Sequence, residues 1–295
     1  MQFQGKQPLG VVYNTSMSRP DAALALAMLY GFTGKREARP GSVCINGAGL
    51  SAAIFCDIVN RFYTPGPPRN ANQNLPTGLA ADGTLPPDPA MVRTAIAKDY
   101  PRSIHKVTDT SVAEAVLRNG VIFNAEAVMI LSAPATSLAK TLDLQGTKDL
   151  FRQRVKMLVI VDSGPAEDAP ALRRVMAEWT TPIVLVGREL GEALPFPGAS
   201  IEKDFAWAPN HPIADAYRAY RAMPYDAPAW DMAAMLYAVH PDQGFFETEP
   251  VRGSTNQVSL KLDPAKKDKV LQAFIELASA KPVQPQQRVR PPAEK

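Results

Sequence analysis

Short apolar runs, LGVVYN, SVCIN, AVMILSA, KMLVIVDSG and TPIVLVG, recur along the chain and are interleaved with amphipathic helical windows. That alternation narrows the accessible architectures more than any other feature of the sequence. Parallel strands cannot be joined by tight hairpins and need crossover connections, usually helices. The pattern therefore predicts an α/β protein: an open, mostly parallel sheet flanked by helices. AVMILSA, bounded by Pro134, is apolar throughout, as expected of a strand covered on both faces.

The helical windows are DAALALAMLYGF, opening at Asp21; GLSAAIFCDIVNRFY, with Ile54, Ile58 and Phe62 in helical register; PAMVRTAIAKDY; SVAEAVLRNG; TSLAKTLDL; and APALRRVMAEW. Thr136 or Ser137 could cap TSLAKTLDL. Further helices are expected in HPIADAYRAYRAM, AWDMAAMLYAV and PAKKDKVLQAFIELASA, with a hairpin between Gly244 and Leu262. Thr64 to Pro89, rich in Pro, Gly and Asn, reads as a long loop. No internal repeat or break between cores is evident. Residues 8–280 are expected to form one domain, and 281–295, rich in Pro, Gln and charge, a disordered tail.

Hydrophobic residues make up 46% of the chain, enough for a sizeable core, and the formal charge is only +3. Nothing resembles the dense basic stripe of a nucleic-acid binder, so no nucleic-acid partner is expected. No apolar run is long enough to span a membrane. Residues 1–10 are too polar for the apolar region of a signal peptide, so a soluble, cytoplasmic protein without a membrane partner is expected. Cys44 and Cys56, with three histidines in the whole chain, do not make a zinc site and read as small core residues.

Val11 to Leu29 is the stretch best placed for chemistry. It combines a buried strand, a polar turn and a helix opening at Asp21, and α/β proteins place their ligands at such strand ends. Here NTSMSRPDAALAL resembles the inosine–uridine-preferring nucleoside hydrolase family, whose hallmark at this place is Asp-x-Asp-x-x-x-Asp-Asp before an Ala- and Leu-rich helix. The resemblance continues in order through AVMILSAPATSLAKTL, RVKMLVIVDSG, WTTPIVLVGRELGEAL and PAWDMAAMLYAV. It implies an N-glycosidase on an open α/β sheet, acting on a nucleoside or sugar-like ligand, with self-association into a homo-oligomer. It also implies a Ca²⁺ ion held by oxygens that binds the ribose hydroxyls and the attacking water. Calcium takes about six to eight oxygen ligands, and a carboxylate base beside bound water makes a usable nucleophile.

By this resemblance the metal ligands would be Asp21, Asp231 and the backbone carbonyl of Ala135. Asn14, Ser16, Trp230 and Glu167 would contact the substrate; DSGPAEDAPALRR skips the family's sugar-gripping Glu-x-Asn element, for which Glu167 or Asp168 could substitute at a shifted position. Asp21 and Asp162 are the candidate catalytic acids, Asp162 because it ends a strand and could project into the same crevice. The sequence departs from the family where its acids are densest. Asn14, Ser16 and Pro20 stand where the first three aspartates are usual, and only Asp21 keeps the fourth. Ser137 stands where asparagine is usual. A serine hydroxyl near pH 7 is no base without a partner, so calcium binding is expected to be weakened or lost.

Each candidate has a plainer reading. Asp21 and Asp231 could be ordinary acids in first helical turns, Asp162 a turn residue bonding its own backbone, and Glu189 a cap or ion-pair partner. His105, His211 and His240 lack metal spacing, and Trp179, Trp207 and Trp230 read as core or rim residues. Two functions stay open: a divergent hydrolase, and a non-catalytic descendant that binds a ligand or serves as a structural subunit.

Overall fold

The first apolar run forms β1 (Leu9–Thr15), whose alternate side chains enter different cores. Val11 and Tyr13 join one apolar cluster and Val12 the other, as the two-residue period of a strand buried on both faces requires. The structure is a computed structural model that describes residues 7–65, 75–80, 87–162 and 169–282. Glu167, Asp168 and residues 283–295 of the expected tail lie outside the described residues.

From β1 the chain runs through α1 (Pro20–Gly34), β2 (Ala38–Ile45), α2 (Leu50–Tyr63), β3 (Thr77–Leu79), α3 (Ala90–Ala97) and β4 (Ser111–Val112). It continues through α4 (Ala113–Ile122), β5 (Ala127–Ser132), α5 (Thr136–Thr141), α6 (Thr147–Arg154) and β6 (Val155–Val161). Next come α7 (Ala169–Glu178), β7 (Ile183–Val186), α8 (Arg188–Ala193), α9 (Gly198–Lys203) and α10 (Pro212–Tyr220). The last elements are α11 (Trp230–Val239), β8 (Glu247–Pro250), β9 (Gln257–Lys261) and α12 (Lys267–Ala278).

Among the described residues the strands form one nine-stranded sheet in the order β4-β3-β2-β1-β5-β6-β7-β9-β8. Every pairing is parallel except β8 with β9, the expected hairpin. The chain first winds outward from β1 through β2, β3 and β4, then returns to the other side of β1 as β5. The C-terminal ends of β1 and β5 therefore flank the switch in winding direction, where open α/β sheets form their ligand crevice.

Two elements correct the sequence expectations. The stretch Thr64–Pro89 contains a short strand, β3, which pairs with β2 through its backbone although Thr77, Gly78 and Leu79 carry no alternating pattern. The helix α1 is not one-sided: it is buried from Pro20 through Phe32, because α10, α11, α12 and the sheet surround it. A helix that is apolar all round belongs at such a place. Its approach to α12 needs Gly31, since a Cβ there would lie 2.3 Å from the Leu277 carbonyl oxygen. Both cysteines are buried and unpaired.

Candidate functional site

The loop after β1 is shaped by Met17. Its φ of 50° lies in the left-handed region, unusual for a residue with a side chain, and its fully buried side chain sits in the core. Its backbone N–H donates to Thr15 Oγ1 at 3.1 Å. With Met17 turned inward, Ser16, Ser18 and Arg19 line a cavity above the sheet. The Ser16 and Ser18 hydroxyls share a hydrogen bond of 2.7 Å.

Arg19 precedes Pro20 at the start of α1, and its guanidinium spans two buried carboxylates. Its Nε donates to Asp21 Oδ1 at 3.2 Å and its Nη2 to Asp231 Oδ1 at 2.8 Å. Asp21 is 1% exposed and Asp231 is fully buried. The two acids come from the first turns of α1 and α11, so two helix N-termini meet here and their dipoles favour the negative charge. Asp21 Oδ2 accepts the Asp231 backbone N–H at 2.9 Å, capping α11 from another helix.

Both oxygens of Asp231 accept further hydrogen bonds. Ser132 Oγ, at the end of β5, donates to Oδ1 at 2.6 Å, and the Tyr13 hydroxyl donates to Oδ2. Every carboxylate oxygen of the pair thus accepts a hydrogen bond from the protein. Burial and the neighbouring Asp231 push the Asp21 carboxyl above the usual carboxylate range, with Arg19 pulling the other way. Burial works against the charge of Arg19, but the two acids outweigh it and hold the guanidinium protonated. Burial and Asp231 hold Tyr13 neutral.

Trp230 stands beside the Arg19 guanidinium. Its ring centroid lies 5.1 Å from the Arg19 guanidinium carbon, within cation–π range, and its Nε1 donates to the Arg188 carbonyl at 2.8 Å. The ring packs on Gly191 of α8, where a Cβ would come within 2.1 Å of Trp230 Cδ1.

The cavity measures about 1280 Å³. Its polar lining includes Ser16, Ser18, Arg19 and Ser132, and its apolar lining Leu172, Met176, Leu185 and Leu262. Asp162, exposed just after β6, and Glu189 line it as well. The structure thus brings Asp21, Asp231 and Trp230 together around Arg19, and Ser16 and Asp162 line the same cavity as Arg19. Asn14 is instead buried in the sheet, its Oδ1 accepting from Asn46 Nδ2 at 2.8 Å and its own Nδ2 without a partner among the described residues. The Ala135 carbonyl accepts the Ala139 N–H at 2.8 Å as part of α5.

The residues present do not fit a divalent cation. Its two anionic ligands are bridged by a guanidinium, their oxygens are engaged, and Asn14 offers an orphan donor rather than an acceptor. Among the described residues no group of three or more His, Cys, Asp or Glu side chains is arranged for a metal. The sequence reading passed over Arg19, Tyr13 and Ser132. One signal pointed to Arg19: two carboxylates buried together require a countercharge, and this arginine stands two residues before Asp21.

The fold is that of the nucleoside hydrolases, an open, mostly parallel α/β sheet flanked by helices. The inosine–uridine-preferring nucleoside hydrolase of Bacillus anthracis superposes with a TM-score of 0.65 at 13% identity, over 92% of this chain and 99% of that one. The plant nucleoside hydrolase PpNRh1 gives 0.67 at 17% identity, over 92% and 99%. The type III effector XopQ, solved with adenosine diphosphate ribose, gives 0.69 at 13% identity, over 94% and 96%. At these identities the likeness is one of fold. No family model matches the sequence, and no curated protein matches it.

Proposed function

We propose that this protein binds a small hydroxyl-bearing ligand, a nucleoside or related sugar, without hydrolysing it through calcium-bound water. The observation that carries this reading is the saturation of Asp21 and Asp231 by Arg19, Ser132, Tyr13 and the Asp231 backbone. Every oxygen of the pair already accepts a hydrogen bond, and the cation between the two acids is the Arg19 guanidinium. Ser16, where the resemblance expects a base, shares its hydroxyl hydrogen bond with Ser18. Loss of a general base alone commonly costs about 10²–10⁴-fold in rate.

The cavity suits a ligand that has both polar and apolar parts. Sugar hydroxyls can bond to Ser16, Ser18 and Arg19, while a base or other aglycone lies against Leu172, Met176 and Leu185. Two carboxylates against one guanidinium disfavour a strongly anionic group beside Arg19, so a neutral polyol fits best. A bound ligand resembling the adenosine diphosphate ribose of the XopQ complex would have to carry its phosphates toward the rim, where Arg188 and Lys261 stand.

The test pairs calorimetry with a hydrolysis assay on inosine, uridine and a chromogenic riboside, with and without Ca²⁺. Saturable binding with no base release is expected, and binding should weaken in Trp230→Ala. Calcium-dependent turnover that collapses in Asp21→Ala would overturn the proposal.

A further inference from the structure

We infer that Arg19 is a tethered cation that stands in for a divalent metal ion, so that the site is metal-independent because its cation is part of the chain. The two carboxylates come from segments 210 residues apart in sequence and converge without a third acid among the described residues. Such a pair, withdrawn from water, needs a positive charge between its members. Arg19 supplies it with directional bonds to both: Nε to Asp21 and Nη2 to Asp231, with Nη2 also 3.3 Å from Ser132 Oγ. A planar guanidinium can bridge two carboxylates at fixed angles, which the point charge of lysine cannot reproduce.

The arrangement also divides the guanidinium's donors by direction. Nε and Nη2 are spent on the protein, whereas no hydrogen bond among the described residues engages Nη1. The Arg19 side chain keeps 20% exposure and lines the cavity. Nη1 is therefore the donor left to meet a ligand oxygen. This inference deepens the metal-free reading of the site above. Its test uses cations alone, so failure to find a sugar ligand and failure of this inference are separate results.

The position of Trp230 over the guanidinium provides the readout, because a terbium ion bound beside an indole is excited through it. Full-length protein, Arg19→Ala, Arg19→Gln and Arg19→Gln/Asp231→Asn are titrated with Tb³⁺ and then with Ca²⁺ as competitor. The unaltered protein should give no saturable tryptophan-sensitised signal. Arg19→Ala and Arg19→Gln should gain one that Ca²⁺ displaces, and the double variant should lose it again. Calcium at about 100 times its Kd should raise the Tm of the single variants by roughly 5 °C or more while leaving the unaltered protein unmoved. Equal terbium binding by the unaltered protein, abolished by Asp231→Asn, would overturn the inference. Folded Arg19 variants that bind no terbium would do so too, as would variants that stay unfolded at saturating Ca²⁺, since the ion would then not replace the guanidinium.

Discussion

Tyr13 shows how little of the site's wiring a residue's identity discloses. In the sequence it is one aromatic in an apolar run; in the structure its hydroxyl closes the last open oxygen of Asp231. The acids were legible because each opens a helix, but their partners were not. Tyr13 and Ser132 look like ordinary strand residues, and Arg19 like an ordinary residue before a helix. Phenylalanine at position 13 would keep the ring packing and leave a buried carboxylate oxygen short of its donor. Tyr13→Phe should therefore lose about 1–3 kcal/mol, the usual cost of an unsatisfied buried polar group. Urea denaturation measures it. In a cycle with Asp231→Asn the two losses should not add, because both act on one hydrogen bond.

At the scale of elements, legibility follows the source of each element's stability. The strands β1, β5, β6 and β7 owe theirs to apolar burial, which writes itself into the sequence as continuous apolar runs. The strands β3 and β4, toward one end of the sheet, are three and two residues long, too short for an alternating or continuous apolar pattern to show in the sequence. The helix α6, TKDLFRQR, buries only Thr147 and Phe151 and so lacks an apolar stripe. The meeting of α8 and α11 was equally hidden, because it depends on Gly191 leaving room for Trp230. Gly191→Ala should force the indole off its seat, breaking its bond to the Arg188 carbonyl and its stacking on Arg19. The expected cost is about 1–3 kcal/mol, typical of overpacking, with a red-shifted tryptophan emission as the ring is wetted. Unchanged emission and stability would show that Trp230 is not held by this contact.

On the scale of the whole molecule, the winding order explains both where the site lies and what lies far from it. The reversal between β1 and β5 opens the crevice that α1 and α11 close with their N-termini. The opposite demand, a dry interior, is met where α2 and α10 meet, and there the fold buries a histidine that the sequence offered only as a residue without metal spacing. His211 is 1% exposed, with ring centroids of Phe62, Phe205 and Trp207 at 4.5, 5.0 and 5.1 Å. The Tyr63 hydroxyl faces its Nε2 at 3.4 Å, and its Nδ1 has no partner among the described residues. Burial drives its pKa down to about 3, with Asp215 opposing and Arg218 assisting. The native state therefore refuses a proton that the unfolded chain accepts near pH 6.5. Stability from this group is complete above pH 6.5 and falls on acidification toward pH 3, by about 1.4 kcal/mol per pH unit. Between pH 7 and 4.5 that amounts to roughly 2–3 kcal/mol. His211→Phe, which keeps an aromatic ring in the cluster, should remove this share of the acid sensitivity. Urea unfolding at the two pH values, compared between the unaltered protein and the variant, measures it; identical slopes would mean that His211 is protonated within the fold.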